Sequence, residues 1–263
     1  MAEKIKIALA QLNIVWENKE ANRRHCRQLV ARAAVKKADL IVFPEMTLIG
    51  FSMDVADIAE AENSSPSIKF FQDLAKKYHL AIMFGLSVKS GKKGKNAAIL
   101  INVQGKIISK YYKLHPFSYA KEDKFYQGGS KVSVVSLNGF KIMPIICYDL
   151  RFVGLTKAMV KYKPDVMIVI ANWPKERKKQ WQTLLSARAL DLQAHVVGVN
   201  RRGRGDGLNY SGNSMAVSAD GTIILKMQSQ ELGFVELTKE SLTTWRKKFP
   251  FLTDSRDKLY SQL

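Results

Sequence analysis

A thiol, a carboxylate and an ammonium stand out in this sequence because each interrupts apolar order at a strand end or in a long loop. Cys147 closes the run Phe140-Lys-Ile-Met-Pro-Ile-Ile-Cys147 and is followed by Tyr148-Asp-Leu-Arg151-Phe152. A cysteine set between a strand and a helix presents its side chain and the next backbone N–H to a cleft, which is how a nucleophile is mounted. The plainer alternative is one more small buried apolar residue. Glu45 follows Leu40-Ile-Val-Phe-Pro44, so a carboxylate is carried out of a sheet at its edge. Burial beside apolar walls would raise its pKa and suit it to act as a base; an exposed turn residue is the ordinary state of a glutamate. Lys113 sits in Tyr111-Tyr-Lys-Leu-His-Pro-Phe117, an aromatic setting able to hold an ammonium partly dehydrated, against the alternative of a surface lysine. His115 and His195 offer the commoner partner for a cysteine. His115 is locked before Pro116 and His195 falls at a helix end, so either can equally be structural.

The elements that must position these groups follow from apolar periodicity. Lys4 to Leu12 alternates as a strand, Asn18 to Lys37 has helical spacing, and Leu40 to Phe43 is a short buried strand. Ser65-Pro66 supplies a cap and a first-position proline for a helix ending near Tyr78. Strands are predicted over Leu80 to Val88, Asn96 to Asn102, Lys106 to Lys110 and Val132 to Leu137, with a long loop, Lys113 to Gly129, before the last of them. A loop of that length inside a compact domain is usually functional. Asn138-Gly139 is a hairpin turn leading into the buried strand that ends at Cys147, and Leu155 to Tyr162 reads as the helix beyond it. Strand Val166 to Ala171, a long helix Glu176 to Ala194 and strand Val196 to Asn200 come next. Strands near Asn213 to Ser218, Gly221 to Met227 and Gly233 to Leu237 and a helix near Trp245 complete the pattern. So many strands with helices between them imply two sheets packed face to face with helices outside.

Composition sets the bounds. The 263 residues suit one α/β domain, 1–263, with a generous core. No apolar run approaches the roughly 18 residues needed to cross a bilayer, and the start lacks a signal-peptide core, so a cytoplasmic protein is expected. Two cysteines, Cys26 and Cys147, make neither a disulfide framework nor a metal-binding spacing. The net charge of +19 is large enough to suggest a nucleic-acid binder. The basic residues are instead scattered in pairs such as Arg23-Arg24, Lys36-Lys37 and Lys247-Lys248, without an RNP-like strand or a basic heptad helix. A solvated, repulsive surface is the expectation, with a field that favours anionic small substrates.

Taken together, Phe43-Pro-Glu45, Tyr112-Lys113-Leu-His-Pro-Phe117 and Ile146-Cys147-Tyr-Asp-Leu-Arg151-Phe152 resemble the three signatures of the nitrilase superfamily of carbon–nitrogen hydrolases. Asn172-Trp-Pro174, Arg188-Ala-Leu190, Asn200-Arg201 and Tyr210-Ser-Gly-Asn-Ser-Met215 extend the match over almost the whole chain. Within the superfamily the sequence is most similar to the bacterial members of the omega-amidase (2-oxoglutaramate amidase) group. The resemblance implies a four-layer αββα sandwich that often dimerises through helices, with no metal or organic cofactor. It also implies that Glu122, in Ala120-Lys-Glu-Asp123, supports the lysine; the adjacent Asp123 makes this a softer match.

The implied chemistry is amide hydrolysis. An amide demands a strong nucleophile, a donor for the oxyanion and a proton for departing ammonia. Glu45 would accept the proton of Cys147, and Lys113 with the backbone N–H of Tyr148 would bind the oxyanion. A cationic Lys113 between two carboxylates would lower the cost of ionising the thiol. Omega-amidases act on short 2-oxo dicarboxylic acid monoamides, whose free carboxylate needs a cation or N–H donors. Arg151 is a candidate, unless it is the ion-pair partner of Asp149. Phe117 and Trp173 could wall the pocket, Asn172 could supply a polar contact, and core packing or capping is the alternative for each. Arg201 and Arg202 are further candidates, with a solvated turn as the default. The same triad could serve another small amide such as deaminated glutathione. A catalytically silent basic binding protein on the same fold is the alternative from a different class.

Overall fold

The computed structural model describes residues 3–256 and residue 259. The first half of the chain builds β1 (Lys4–Ala10), β2 (Leu40–Val42), β3 (Ala81–Ser90), β4 (Lys93–Ile101) and β5 (Ile107–Tyr112). The second half builds β6 (Val135–Leu137), β7 (Phe140–Ile146), β8 (Val166–Ala171), β9 (His195–Asn200), a separate hairpin of β10 (Arg202–Gly205) and β11 (Leu208–Ser211), then β12 (Met215–Val217), β13 (Ile223–Lys226) and β14 (Leu232–Thr238). The helices are α1 (Lys19–Val35), α2 (Val55–Ile58), α3 (Pro66–Tyr78), α4 (Glu122–Phe125), α5 (Val153–Val160), α6 (Lys178–Leu192) and α7 (Lys239–Lys248).

Two mixed six-stranded sheets result, in the orders β14-β1-β2-β3-β4-β5 and β13-β12-β9-β8-β7-β6. Their centres are parallel, β1-β2-β3 in one and β7-β8-β9 in the other. Strands such as Val166-Met-Ile-Val-Ile-Ala171, buried along their whole length, are the continuous apolar runs that parallel sheets require. One apolar interior joins the facing surfaces of the sheets and continues to α5 and α6, through residues such as Leu9, Met83, Ile145, Ile168, Met159 and Leu185. A second cluster packs α1 and α3 on the outer face of the first sheet. The expected layering of helix, sheet, sheet and helix is therefore observed.

Local sequence explains the boundaries. Ser65 caps α3 by accepting from the Ile68 N–H at 3.0 Å, Pro66 opens the helix and His79 closes it in a left-handed conformation. Asn138 and Gly139 both adopt positive φ (48° and 79°), as a two-residue hairpin between β6 and β7 demands. Several segments depart from the sequence expectation, among them α2, which lies where no element is predicted, and β6, which begins three residues after Val132. The loop from Lys113 to Gly129 contains a short 3₁₀ turn and α4, β4 begins three residues before Asn96, and the β10–β11 hairpin was not foreseen.

The fold gathers chain ends at one edge. β3 and β5 both pair antiparallel with β4, so β5 runs in the same direction as β1, β2 and β3. Residues just past β2, β5, β7 and β8 therefore emerge at C-terminal strand ends, where open α/β sheets place their ligands. These residues are Glu45, Lys113, Cys147 and Asn172.

Candidate active site

Glu45 is held from below by a close backbone crossing. A Cβ on Gly85 of β3 would lie 2.2 Å from the Met46 nitrogen and 2.7 Å from the Glu45 Cα, so only glycine lets this segment ride on the strand. Thr47 locks the crossing: its hydroxyl donates to the Pro44 carbonyl at 2.6 Å and accepts from the Gly85 N–H at 2.9 Å. The Glu45 side chain is fully buried, yet its immediate partners are polar. Oε1 accepts from Lys113 Nζ at 3.0 Å and from Asn96 Nδ2 at 2.7 Å, and Oε2 accepts from the Asn172 backbone N–H at 2.9 Å. The expectation of apolar walls gives way to a carboxylate gripped by donors from β4, the loop after β5 and the end of β8.

Lys113 is buried and not a surface lysine. Its ammonium donates to Glu45 and, at 2.8 Å, to Glu122 Oε2, and lies 5.0 Å from the centroid of the Phe51 ring. Burial alone would favour the neutral amine, but Glu122 and Glu45 more than offset it and hold the group protonated. Glu122, at the start of α4, also accepts from the Phe117 N–H at 2.6 Å. Asp123 instead pairs with Lys124 at 3.5 Å, so Glu122 is the acid the loop turns inward.

Cys147 ends β7 at the first residue of a 3₁₀ turn, with φ of 46°. A non-glycine residue in the left-handed region is strained, and surrounding contacts must enforce it. Asp149 supplies them. Its carboxylate accepts from the Tyr111 hydroxyl at 2.7 Å, the His115 ring at 2.7 Å and the His115 N–H at 3.0 Å, which ties the turn to the segment bearing Lys113. His115 also stacks on Phe152 at 3.7 Å, so it is a brace. The thiol borders a cavity and is not sealed in hydrocarbon. Burial raises its pKa well above the ordinary thiol range, Glu45 and Glu122 add to that, and Lys113 opposes it. Lys113 eases ionisation as expected, but burial, the largest effect, and the two carboxylates outweigh it.

The cavity holds about 290 Å³. Phe117, Tyr148, Arg151, Asn172 and Trp173 all line it, so the substrate-binding candidates read from sequence converge there. Arg151 does not pair with Asp149; its guanidinium lies 4.8 Å from the Trp173 ring and donates to Gln180 at 2.6 Å. Arg177, Tyr119, Asp206 and Leu208 also line the cavity without having been singled out in the sequence, as does Tyr210, which the sequence marks only as the start of a family motif. Arg177 opens the basic run Arg177-Lys-Lys179, which in sequence reads as a solvated face; the Phe117 ring 5.5 Å from its guanidinium is what the sequence could not show. Arg201 is fully buried, not in a solvated turn, where it donates to Ile14 and Arg204 carbonyls and lies 4.4 Å from the Tyr210 ring. Arg202 pairs with Glu231 at 2.8 Å. His195 begins β9 among buried residues, and burial lowers its pKa. Among the described residues no group of three or more His, Cys, Asp or Glu side chains could hold a metal ion.

Comparison with known proteins supplies the lineage of this arrangement. The carbon-nitrogen hydrolase family model matches residues 6–247. The chain is 34% identical to the omega-amidase YafV of Yersinia enterocolitica, over 95% of this chain and 96% of that protein. It is 26% identical to the 2-oxoglutaramate amidase of Bacillus subtilis, over 97% and 98% of the two chains. Among solved structures, a CN-hydrolase superfamily protein from Xanthomonas campestris with an arsenic adduct in its active site superposes with a TM-score of 0.90. That protein is 28% identical, and the match covers 96% of this chain and 97% of the other. The chain belongs to the carbon–nitrogen hydrolase family, as its three sequence signatures imply.

Proposed function

We propose that this carbon–nitrogen hydrolase is a thiol amidase that cleaves the ω-amide of a small 2-oxo dicarboxylic acid monoamide, such as 2-oxoglutaramate or 2-oxosuccinamate, releasing ammonia. The observation that carries this reading is the buried Glu45–Lys113–Glu122 cluster set against Cys147 beneath a cavity lined by two arginines. The names of the similar omega-amidase and 2-oxoglutaramate amidase support the substrate class.

Because the sulfur rests protonated, its proton leaves as the S–C bond forms. Glu45 takes that proton, and the amide oxygen becomes an oxyanion bound by Lys113 Nζ and the Tyr148 N–H. Glu45 then hands the proton to the amide nitrogen, the C–N bond breaks, ammonia departs and a thioester remains. Water attacks the thioester while Glu45 removes a proton from it. The C–S bond breaks, the proton returns to sulfur and the acid is released. Lys113 keeps its own proton throughout, as its two carboxylate partners require.

The cavity favours a small ligand. A volume near 290 Å³ lies at the lower end of the ~300–1,000 Å³ common for ligand pockets and suits an acid of about ten non-hydrogen atoms. Deaminated glutathione is about twice that size. Arg151 and Arg177 would receive the free carboxylate while Phe117 and Trp173 wall the carbon chain. The protein would work in the cytoplasm, where both thiols stay reduced, and as a homodimer through its helical faces, with exposed Val153, Leu190 and Phe251 available to be covered. No described helix is long and apolar enough to cross a membrane.

The test is ammonia release from 2-oxoglutaramate, 2-oxosuccinamate and deaminated glutathione, with denaturing mass spectrometry for the acyl adduct. Cys147→Ala should abolish release and adduct, and Cys26→Ala should change neither. Equal losses from both substitutions would refute the assignment. Salt-sensitive retention on nucleic acid without ammonia release would point to the silent binding protein instead.

A further inference from the structure

Asn96 is a polar residue in the apolar run Asn96-Ala-Ala-Ile-Leu-Ile101 of β4, and it is 1% exposed. Its Nδ2 donates to Glu45 Oε1 at 2.7 Å and to Glu122 Oε1 at 3.0 Å, while its backbone carbonyl accepts from the Lys113 N–H at 2.9 Å. Lys113 Nζ spans the same two carboxylates from the other side. Glu45, Lys113, Glu122 and Asn96 thus form a closed ring in which two acceptors alternate with two donors. Asn96 Oδ1 is buried with no hydrogen-bond partner among the described residues, an arrangement that destabilises the fold unless something offsets it. A strand position that needed only to be filled would hold an apolar residue there.

We propose, on the basis of the amidase reading, that Asn96 is a positioning residue that bridges the two carboxylates, opposes their sharing of a proton and holds Glu45 in place to take the thiol proton. Two buried carboxylates this close tend to share a proton, because ionising the second is opposed by the first. Lys113 neutralises one negative charge only. Asn96 supplies a hydrogen bond to each acid and has no proton to lose in the working range. It also places a second donor on Glu45 Oε1 beside Lys113, matching the two that Asn172 places on Oε2 through its backbone N–H at 2.9 Å and its side-chain amide at 3.4 Å. The other titratable groups around the pair are Cys147 after β7, Tyr126 after α4, which donates to the Ser52 carbonyl at 2.9 Å, and Tyr210 on β11. The Cys147 thiol is hydrogen-bonded to Glu45 itself, while the Tyr126 hydroxyl is taken up by Ser87 and the Ser52 carbonyl.

The test uses Asn96→Asp, which exchanges the donors for a third acid, and Asn96→Leu, which removes them at similar size. Both should lower kcat by ~10–100-fold with KM little changed. Both should also move the acid limb of the kcat/KM profile to higher pH, since a carboxylate that loses donors holds its proton more tightly. Asn96→Ser, which retains one donor, should fall between them and serves if either of the others fails to fold. Carboxymethylation of Cys147 by iodoacetate, followed by mass across pH, needs no turnover and should shift in the same direction in the variants. Unmoved pH profiles with only a lower melting temperature would reduce Asn96 to a structural residue and overturn the proposal. Absence of ammonia release by the wild-type protein would instead defeat the amidase reading, and the alkylation profile would still decide the role of Asn96.

Discussion

Among the described residues buried glutamates pair with lysines in two places, Glu45 and Glu122 with buried Lys113 and Glu60 with half-buried Lys19, and the contrast between them shows what turns an ion pair into a reactive centre. Glu60, 7% exposed, accepts from Lys19 Nζ at 2.9 Å, from the hydroxyls of Ser65 and Ser67 and from the Ser67 N–H at 3.0 Å. One carboxylate faces one ammonium and neutral donors fill the rest of its acceptor capacity. The result fastens the start of α3 to the loop before it. Glu45 is more deeply buried, at 0% exposure, its ammonium is shared with a second acid, and a thiol stands beside it. Burial and an ion pair are common to both. An unbalanced charge and a sulfur next to a cavity belong to one.

The contrast breaks most visibly under paired substitution. Glu45→Gln should lower kcat by ~10²–10⁴-fold, the range for a lost general base, with a small change in melting temperature. Glu60→Gln should leave kcat/KM within about threefold but cost about 2 kcal/mol, or ~4–8 °C in Tm, through mismatched buried donors. If the two variants exchanged these signatures, the division between reactive and structural clusters would be wrong. A finer test is the thiol itself. Ultraviolet titration of wild type against Cys147→Ala should show no Cys147 thiolate below the ~8.5 typical of a free cysteine, since burial and the surplus carboxylate both oppose it. Thiolate absorbance at neutral pH would mean that Lys113 dominates.

The smallest expected effect is in acid. Burial alone would raise the Glu60 pKa, but its hydroxyl, amide and lysine donors bring it below the usual carboxylate value. A depressed folded-state pKa gives stability that is present above the unfolded value and lost as pH falls through the folded one. The deficit of Glu60→Gln should therefore be full near pH 6 and shrink toward zero below the folded value, measured by thermal melts across pH. A deficit independent of pH would show that packing, not charge, holds that corner.

Much of this was legible in the sequence, and what was not has definite causes. Strand β8 and helix α3 matched their predicted limits because β-branched runs and a Ser-Pro start are local signals. Glu45, Lys113 and Cys147 could be found because each ends or interrupts an apolar segment. The partners of Glu45 could not, since Asn96 and Asn172 lie 51 and 127 residues away and nothing local ties them to it. The hairpin of β10 and β11 carries a signal, since Asp206-Gly207 is a two-residue turn with positive φ at both positions and Leu208-Asn-Tyr-Ser alternates. Strands of four residues with glycines at 203 and 205 are nevertheless too short and too plain to stand out, and Tyr210, which the hairpin carries to the cavity, went with it as a substrate contact. The charge balance around the sulfur was legible only in part: residue types name the ammonium that eases ionisation, but only geometry shows how far burial and the two acids oppose it.

Glu45 leaves one sheet and is clasped by Asn172 from the other, through the backbone N–H at 2.9 Å and through a side-chain amide that donates to the Glu45 carbonyl at 2.7 Å. The reacting groups are thus riveted across a seam between two slabs. A slip of one slab past the other by a fraction of a residue spacing would disarm the base while every strand stayed paired, which makes turnover a gauge of how tightly the halves are clamped.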